Sequence, residues 1–322
     1  MKAIVCERYG QPEKVLQLKD VEKPAPGEGQ VLLRVHAASV NIADYYGMTG
    51  FTRLFGGGFR KPKDPRVGSD VAGTVEAAGA NATRFQVGDE VFGVCDGAFA
   101  EFAVAGEKKL AKKPANVPFG EAAAVPIAGL TALQGIRDKG QVRAGQEVLV
   151  NGASGGVGTF AVQIAKALGA TVTGVCSTRN VEQARSIGAD LVVDYTKEDF
   201  TRGGRSYDLI CDIVANRSVS DYKRALKPGG TCLLVGFAKN PVGGLIKFAV
   251  LGRLGSMSGN KKIRFMGIAK INSDELGYMA ELLGSGRVKP VIEKRFGLPE
   301  VGEALGYIGK KHTRGKVVIT IS

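Results

Sequence analysis

The chain has 322 residues, a length that suits two domains, each able to bury its own hydrophobic core. Its formal net charge of +13 favours anionic ligands or surfaces, but the basic residues are scattered and form no nucleic-acid motif. These features favour a solvated basic surface over a nucleic-acid site, and no apolar run is long enough to span a bilayer.

The five cysteines are odd in number, widely spaced and without a C-x-x-C pair, so they predict neither a zinc lobe nor a disulfide framework. Cys176, Cys211 and Cys232 fall in or beside predicted buried strands, where free cysteine packs as a small apolar residue. The first ten residues predict a strand and lack the apolar core of a signal peptide. We therefore expect a cytoplasmic protein.

Residues 1 to about 125 contain short alternating apolar runs separated by turn residues, a pattern typical of an all-β domain. Strands are expected at Lys2–Cys6, Val31–Ala37, Val71–Ala77, Glu90–Val94 and Phe99–Val104. Hydrogen-bonding side chains collect between Ser39 and Gly50, which we interpret as a functional loop. The following glycine-rich segment, residues 51–63, is expected to be mobile and to border a pocket.

A glycine-rich turn, Gly152 to Gly158, is the strongest local signal in the chain. It follows a short apolar run, Glu147–Val150, and precedes apolar residues at helical spacing that end at Gly169. Strand, glycine turn and helix in this order indicate a dinucleotide site, where the backbone approaches a pyrophosphate closely and the first helical N–H groups bind it. Ala153 replaces the first glycine of the usual G-x-G-x-x-G, so the loop alone is a weak signal.

The next predicted strand, Thr171–Val175, precedes Ser177, Thr178 and Arg179, where an NAD-binding chain would carry an acid for the ribose 2′-hydroxyl. Two hydroxyl groups and a guanidinium suit a 2′-phosphate, and no carboxylate within this run repels it. The run therefore favours NADPH, the alternative being that these are polar residues of a surface turn.

The glycine turn also matches G-x-S-x-G, the nucleophile elbow of α/β-hydrolases, with Ser154 as the nucleophile. A hydrolase needs an acid and then a histidine downstream, and the only later histidine is His312, close to the end of the chain. The hydrolase interpretation also leaves Gly158 unexplained, so we favour the dinucleotide site.

Residues 128 to about 284 alternate strands and helices, as a doubly wound parallel sheet does. Further strands are expected at Leu191–Asp194, Leu209–Val214, Thr231–Val235 and Ile263–Ile268. Ligands of such sheets bind beyond the carboxyl ends of the strands. Gly236 and Phe237 are therefore candidates for the nicotinamide side, and Asp194 with Tyr195 for the adenosine side.

Residues 238–262 form an unusually long connection that mixes apolar and basic residues. It is interpreted as a lid over an apolar substrate or a dimer contact, in preference to peripheral membrane contact. Residues 285–322 return to β character, with strands at Val291–Glu293 and Lys316–Ile321. We expect this tail to rejoin the first domain.

This layout and the GASGGVG turn resemble the medium-chain dehydrogenase/reductase superfamily, specifically its zinc-free quinone oxidoreductase-like (zeta-crystallin-like) branch. Further marks of the resemblance are Val40-Asn41-x-x-Asp44, Gly68 to Gly73, Gly88-Asp89-x-Val91, Ala128 to Ala132, Gly188-Ala189-Asp190 and Arg314 to Val318. The resemblance implies an α/β fold in which a Rossmann doubly wound parallel sheet (128–284) is inserted into a GroES-like β-rich domain (1–127, completed by 285–322). It also implies a homodimer.

The zinc alcohol dehydrogenases of this superfamily use a Cys and a His-Glu pair as catalytic metal residues. Where these would stand, the chain carries the segment from Asn41 to Asp44 and the pair Ser69-Asp70. Catalytic zinc needs three side-chain ligands, and His36 with His312 cannot supply them. We therefore expect a metal-free site and interpret His36 as a structural or surface residue.

The resemblance also implies roles for individual residues: glycine-turn residues at the pyrophosphate, hydroxyl and basic residues at the 2′-phosphate, and a tyrosine at the substrate carbonyl. The cofactor-binding candidates are Thr131, Ser154, Gly155, Gly156, Val157, Gly158, Ser177, Thr178, Arg179, Tyr195, Gly236, Phe237 and Lys316. The catalytic candidates are Asn41, Asp44, Tyr45 and Tyr46, with aromatic packing as the alternative for the tyrosines. Relatives often carry Arg where this chain has Met48, which predicts a more apolar substrate.

Without a metal, alcohol oxidation would need another base, and none is evident. NADPH can deliver a hydride to an electron-poor carbon while hydrogen-bond donors stabilise the developing oxyanion or enolate. We therefore expect an NADPH-dependent oxidoreductase of a small apolar quinone or α,β-unsaturated carbonyl. The alternatives are an enone or alkenal double-bond reductase without quinone activity, and a nucleotide-binding crystallin-like or RNA-binding protein with little catalysis.

Overall fold

The computed structural model describes residues 1–50, 61–62, 64–236, 260–310 and 313–321. The chain divides into two compact units, which are Met1–Leu130 with Lys270–Gly286 and Pro290–Ser322, and Thr131–Ala269 with Arg287–Lys289. Nearly all of the segment 51–63 and of the connection 238–262 lies outside the described residues, as do Phe237 and His312.

The first unit is organised around a sheet of seven strands and a separate antiparallel pair. The pair is β1 (Lys2–Cys6) and β2 (Leu16–Asp20); the sheet contains β3 (Gln30–Val40), β4 (Asp70–Ala78), β5 (Glu90–Val94), β6 (Phe102–Gly106), β7 (Leu110–Lys112), β14 (Ile292–Gly297) and β15 (Lys316–Thr320). Its order is β14-β15-β3-β4-β5-β7, with β6 also paired to β3. The tail of the chain thus joins the centre of this sheet, with Val317 opposite Val40.

Several helices lie in the first unit. They are α1 (Pro12–Val15), α2 (Ile42–Met48), α3 (Phe119–Ala123), α4 (Pro126–Leu133), which continues through a π-helical turn at Gln134–Lys139 into the second unit, α8 (Ser273–Gly284) and α9 (Val301–Gly309). Helix α9 buries Val301, Ala304, Leu305 and Ile308, because three- and four-residue spacing places them on one face. Helix α8 packs against β7, so residues 270–284 lie in the first unit rather than in the predicted second domain.

The second unit is a six-stranded parallel sheet, which confirms the predicted Rossmann architecture. Its strands are β8 (Glu147–Asn151), β9 (Thr171–Cys176), β10 (Leu191–Asp194), β11 (Tyr207–Asp212), β12 (Leu226–Leu234) and β13 (Lys262–Phe265), and its helices are α5 (Gly156–Ala167), α6 (Val181–Ser186) and α7 (Val219–Ala225). The order β10-β9-β8-β11-β12-β13 reverses direction between β8 and β11. Such a reversal is the place where doubly wound sheets bind dinucleotides.

One predicted loop is a helix. Helix α2 begins directly after Asn41, and the carboxylate of Asp44 accepts a hydrogen bond from the backbone N–H of Asn41 at 2.7 Å. An Asn followed three residues later by an acid is a local signal for a helix start. Interpreting residues 39–50 as a loop was therefore wrong for residues 42–48.

All five cysteines are free and buried, as expected for small apolar packing residues. No helix in the described ranges has both the length and the apolar character needed to cross a membrane.

Candidate functional site

The glycine turn after β8 has the close backbone packing that a dinucleotide site requires. Gly152 has a φ of +88°, which L side chains rarely adopt. A Cβ on Gly158 would lie 2.0 Å from the carbonyl oxygen of Gly152, so only glycine lets α5 pack this closely on the turn. The methyl group of Ala153, the first residue of the motif, faces Gly174. A Cβ on Gly174 would lie 3.1 Å from this methyl group, so the glycine leaves room for Ala153.

The N-terminus of α5 offers an anion-binding surface. The first N–H groups of a helix have no intrahelical acceptor, and the helix dipole places partial positive charge beside them. In the twelve-residue helix α5 these groups belong to Gly156, Val157 and Gly158. A Cβ on the preceding residue, Gly155, would meet one atom within 4 Å, the carbonyl oxygen of Gly152 at 3.6 Å. The turn is therefore open enough for the backbone to approach a phosphate.

The residues after β9 and β10 meet at the same edge of the sheet. Ser177 is half-buried, Thr178 and Arg179 are exposed, and the backbone N–H of Tyr195 donates to the carbonyl of Cys176 at 3.0 Å. Tyr195 is 53% exposed, which leaves its ring accessible to a ligand. The predicted 2′-phosphate residues are thus brought to one surface.

Thr178 contacts a carboxylate within this surface. Its hydroxyl donates to Asp194 at 2.5 Å, and Thr196 donates to the other carboxylate oxygen at 2.7 Å. The hydrogen bond from Thr178, with that from Thr196, lowers the pKa of Asp194 to about 2. The hydroxyl proton of Thr178 is therefore directed to Asp194, so Ser177 and Arg179 are the better phosphate candidates.

Asn180 is a site residue that the sequence analysis missed. Its amide nitrogen donates to the hydroxyl oxygen of Ser154 at 3.0 Å and to that of Ser177 at 3.3 Å. One buried side chain thus joins the glycine turn to the residues after β9. The available signal was an Asn directly before the helical pattern of α6, where a polar cap is expected.

A second polar network fixes the loop after β11. Asp212 is fully buried; one carboxylate oxygen accepts from Asn151 at 2.9 Å and the other from the Tyr222 hydroxyl at 2.7 Å. Burial raises the pKa of Asp212. Gly236 packs against this loop, because a Cβ there would lie 2.2 Å from the carbonyl oxygen of Ile213.

Among the remaining cofactor candidates of this unit, Thr131 lies partly exposed on α4.

The first unit holds a separate cluster, here called the Asn41 network, at the ends of β3, β4 and β15. Asp70, with no exposed surface, accepts from Ser39 at 2.8 Å and from the Asn41 amide nitrogen at 2.9 Å. Lys316 donates to the Asn41 amide oxygen at 2.6 Å, to the Val40 carbonyl at 3.3 Å and to Asp70 at 3.4 Å. The family resemblance implies a position for Lys316 close to the cofactor, whereas the structure gives its ammonium group three acceptors inside the first unit.

Asp44 adds an ionisable group to this network. One carboxylate oxygen accepts from the backbone of Asn41 at 2.7 Å, and the other lies 3.4 Å from the partly exposed hydroxyl of Ser69. Desolvation of its carboxyl group, with a smaller contribution from Asp70, raises the pKa of Asp44 to about 7. A carboxyl group with this pKa can hold and release a proton near neutral pH.

The other side chains of α2 are held by packing. Tyr45 packs on α9, where a Cβ on Gly309 would lie 2.5 Å from its ring, and its hydroxyl lies 3.5 Å from Gln11. The ring of Tyr46 meets that of Tyr45 edge-on, with centroids 5.9 Å apart. Met48 is buried in the core of the first unit. The contacts of Tyr45 therefore agree with the alternative of aromatic packing. Because Met48 lies in the core, its position gives no support to the expectation of a more apolar substrate.

The donor set of the Asn41 network does not fit a zinc ion. The ammonium group of Lys316, which donates to Asn41 and Asp70, would repel a cation. Across the described residues, no group of three or more His, Cys, Asp or Glu side chains could hold a metal ion. His36 stacks on Phe119, with ring centroids 4.3 Å apart, as expected of a structural residue.

Comparisons with known proteins agree with this architecture. Residues 27–115 match the family model for the alcohol dehydrogenase GroES-like domain, and residues 187–319 match that for zinc-binding dehydrogenases. The chain is 32% identical to a chloroplast envelope quinone oxidoreductase homolog of Arabidopsis thaliana, covering 99% of this chain and 98% of the relative. It is 31% identical to a chloroplastic NADPH-dependent alkenal/one oxidoreductase of Arabidopsis thaliana, covering 99% and 79%.

A solved structure extends the agreement to the whole fold. The quinone oxidoreductase of Coxiella burnetii superimposes with a TM-score of 0.87 at 29% identity, covering 100% of this chain and 99% of that one. The relatives match along the full chain, including both the β-rich unit and the parallel sheet. The protein therefore belongs to the medium-chain dehydrogenase/reductase superfamily, in its quinone oxidoreductase-like branch, and is an oxidoreductase.

Proposed function

We propose that the protein uses NADPH to reduce a quinone or an α,β-unsaturated carbonyl without a metal ion. The observation that carries the proposal is the surface formed by the glycine turn, the α5 N-terminus and the residues after β9. It combines helical N–H groups with Ser154, Ser177 and Arg179 at one sheet edge. Asp194, beside it, is an ionised carboxylate that accepts from Thr178 and Thr196, so Arg179 has to supply the positive charge for a 2′-phosphate. The NADPH-dependent alkenal/one relative supports the same cofactor.

When bound, NADPH supplies a hydride to an electron-poor carbon of the substrate. In the second unit, the α5 N-terminus would hold the pyrophosphate, while Ser154, Ser177 and Arg179 would hold the 2′-phosphate. In the first unit, the oxygen of Asp44 that can carry a proton is the one 3.4 Å from the Ser69 hydroxyl, because the other oxygen accepts from the Asn41 backbone. Ser69 donates to this oxygen when Asp44 is ionised and accepts from it when Asp44 is protonated. Because the Ser69 hydroxyl is partly exposed, Asp44 can release this proton outward through it.

The experiment that tests the proposal is NADPH consumption against a panel of quinones, enones and simple aldehydes, with NADH and a metal chelator as controls. We expect turnover that prefers NADPH and is unchanged by chelator. Turnover of enones alone would replace the quinone part of the proposal with a double-bond reductase. Loss of turnover with chelator would overturn metal independence, and a preference for NADH would overturn the cofactor assignment.

The hydrolase alternative receives no support from the site. The hydroxyl of Ser154 accepts a hydrogen bond from Asn180, an amide that cannot act as a base. The homodimer, the absence of nucleic-acid binding and the cytoplasmic location stay predictions of the sequence.

A further inference from the structure

The side chain of Asn180 lies between two serines that come from different strand ends. Its amide nitrogen donates one hydrogen bond to Ser154, in the glycine turn, and one to Ser177, after β9. Asn180 is 5% exposed, and its amide oxygen has no hydrogen-bond partner in the described part of the chain. The contacts of the amide are thus confined to its nitrogen.

The orientation of this amide follows from counting donors and acceptors. In the observed orientation, each of the two N–H hydrogens of Asn180 has a serine oxygen as acceptor. The amide oxygen of Asn180 is then the one group without a partner among the described residues. Rotating the amide by half a turn would leave two buried N–H donors without acceptors, which costs more free energy than one unpaired oxygen. The nitrogen of Asn180 therefore faces the serines.

This orientation determines what the serine hydroxyls can do. A hydroxyl that accepts a hydrogen bond from an amide keeps its own hydrogen for donation to another group. Ser154 and Ser177 therefore each have a hydrogen available for donation, at an edge where a dinucleotide phosphate is expected. A phosphate dianion accepts such charge-assisted bonds more strongly than a neutral ribose hydroxyl does.

We propose that Asn180 is a positioning residue that orients the hydroxyls of Ser154 and Ser177 with their hydrogens available for donation, and so sets the preference for a 2′-phosphate over a 2′-hydroxyl. The proposal rests on the proposed function, in that it takes NADPH as the cofactor. Asn180 acts through the two serines rather than by touching the phosphate. Its replacement should therefore change cofactor choice while affinity for the rest of the nucleotide stays the same.

The test compares binding of adenosine 2′,5′-bisphosphate and adenosine 5′-monophosphate to the full-length protein by calorimetry. We expect the wild type to prefer the bisphosphate at least about tenfold, since charge-assisted hydrogen bonds are worth one to two powers of ten in affinity. Asn180→Ala should lower this preference about tenfold. Asn180→Asp should abolish it, because a carboxylate accepts from both serines and adds negative charge. Affinity for the monophosphate should change less than about twofold in both variants.

Two controls separate a positioning role from a structural one. Asn116→Asp makes the same charge change in the first unit, where the amide of Asn116 donates to the Gly284 carbonyl, and should leave the preference intact. In a background of Ser154→Ala and Ser177→Ala, Asn180→Ala should have little further effect, since it acts through those hydroxyls.

The outcomes distinguish the two proposals. If the wild type shows no preference for the bisphosphate, the assignment of NADPH fails. If the wild type prefers the bisphosphate and Asn180→Ala keeps that preference within twofold, the NADPH assignment stands and the role of Asn180 is refuted. Asn180→Ala adds no buried charge, so the test remains available where Asn180→Asp does not fold.

Discussion

The ammonium nitrogen of Lys316 lies 2.6 Å from the amide oxygen of Asn41, although 275 positions separate the two residues in the chain. The pairing of β15 with β3 brings them together. The amide nitrogen of Asn41 donates to Asp70, so the carboxylate contacts the nitrogen and the ammonium group contacts the oxygen of the same amide. These two contacts fix the orientation of the Asn41 side chain. The start of α2, and with it Asp44, is thereby fixed to the centre of the first unit's sheet.

Removing one partner of the buried ion pair between Lys316 and Asp70 should lower the stability of the protein. Lys316→Met leaves the carboxylate of Asp70 without its cation, and we expect a loss of about 3–5 kcal/mol in the free energy of unfolding. The double variant Lys316→Met with Asp70→Asn should recover part of the loss, because no buried charge remains unpaired. Urea unfolding measures both. As the exposed control, Lys2→Met removes the solvent-exposed ion pair with Asp20 and should change the free energy of unfolding far less.

Asp44 should give the activity a pH dependence. Because its pKa is raised to about 7, the carboxyl group loses its proton as the pH rises through this value. We expect kcat for NADPH-dependent reduction to fall above pH 7, and Asp44→Asn to lower kcat about 100-fold and to remove this fall. A pH profile of kcat that is identical in wild type and variant would exclude Asp44 as the proton donor.

The same group should also affect stability, with a defined sign. Below about pH 4 the carboxyl is protonated in both states, and the favourable contribution of the raised pKa is fully present. Between about pH 4 and 7 the unfolded state ionises first, so the free energy of unfolding falls by up to about 1.4 kcal/mol per pH unit. Above the folded-state pKa of about 7 the contribution is lost. Asp44→Asn should flatten this slope in denaturant unfolding measured from pH 4 to 8, and an unchanged slope would contradict the raised pKa.

The glycine turn should distinguish sharply between two substitutions to alanine. Gly158→Ala places a Cβ 2.0 Å from the Gly152 carbonyl oxygen, whereas Gly155→Ala places one 3.6 Å from the same atom. We expect Gly158→Ala to cost about 1–3 kcal/mol in stability through overpacking. Gly155→Ala should cost less than about 1 kcal/mol. Thermal unfolding of the two purified variants checks this order, and equal losses would refute the close approach of α5 to the turn.

The cysteines should be unreactive in the native protein. All five are free and buried, and desolvation raises the pKa of Cys176 to about 11 and that of Cys211 to about 12. Since the thiolate is the nucleophile, we expect Ellman's reagent to label no thiol rapidly at pH 8 and all five after denaturation. Rapid labelling of any native thiol would show that one of these sites is open to solvent.

Local patterns in the sequence were sufficient for much of the fold. Strands β1, β5 and β10 have the predicted bounds, because alternating or continuous apolar residues between turn residues constrain a short segment strongly. The order of strand β8, glycine turn and helix α5 was predicted for a similar reason, since the three are contiguous in the chain. Helix α2 also had a local signal, in the spacing of Asn41 and Asp44, that was misinterpreted.

The contacts within the candidate sites depend on residues that are far apart in the chain. Nothing near Lys316 indicates that it holds Asn41, and nothing near Asn180 indicates that it joins Ser154 to Ser177. Strand order and register create these contacts, and they follow from how whole strands and helices bury their apolar faces together. The chain's local chemistry therefore specifies the kind of ligand that each strand end can bind. Long-range packing determines which side chains contact each other at these strand ends, and which of them donate and which accept hydrogen bonds.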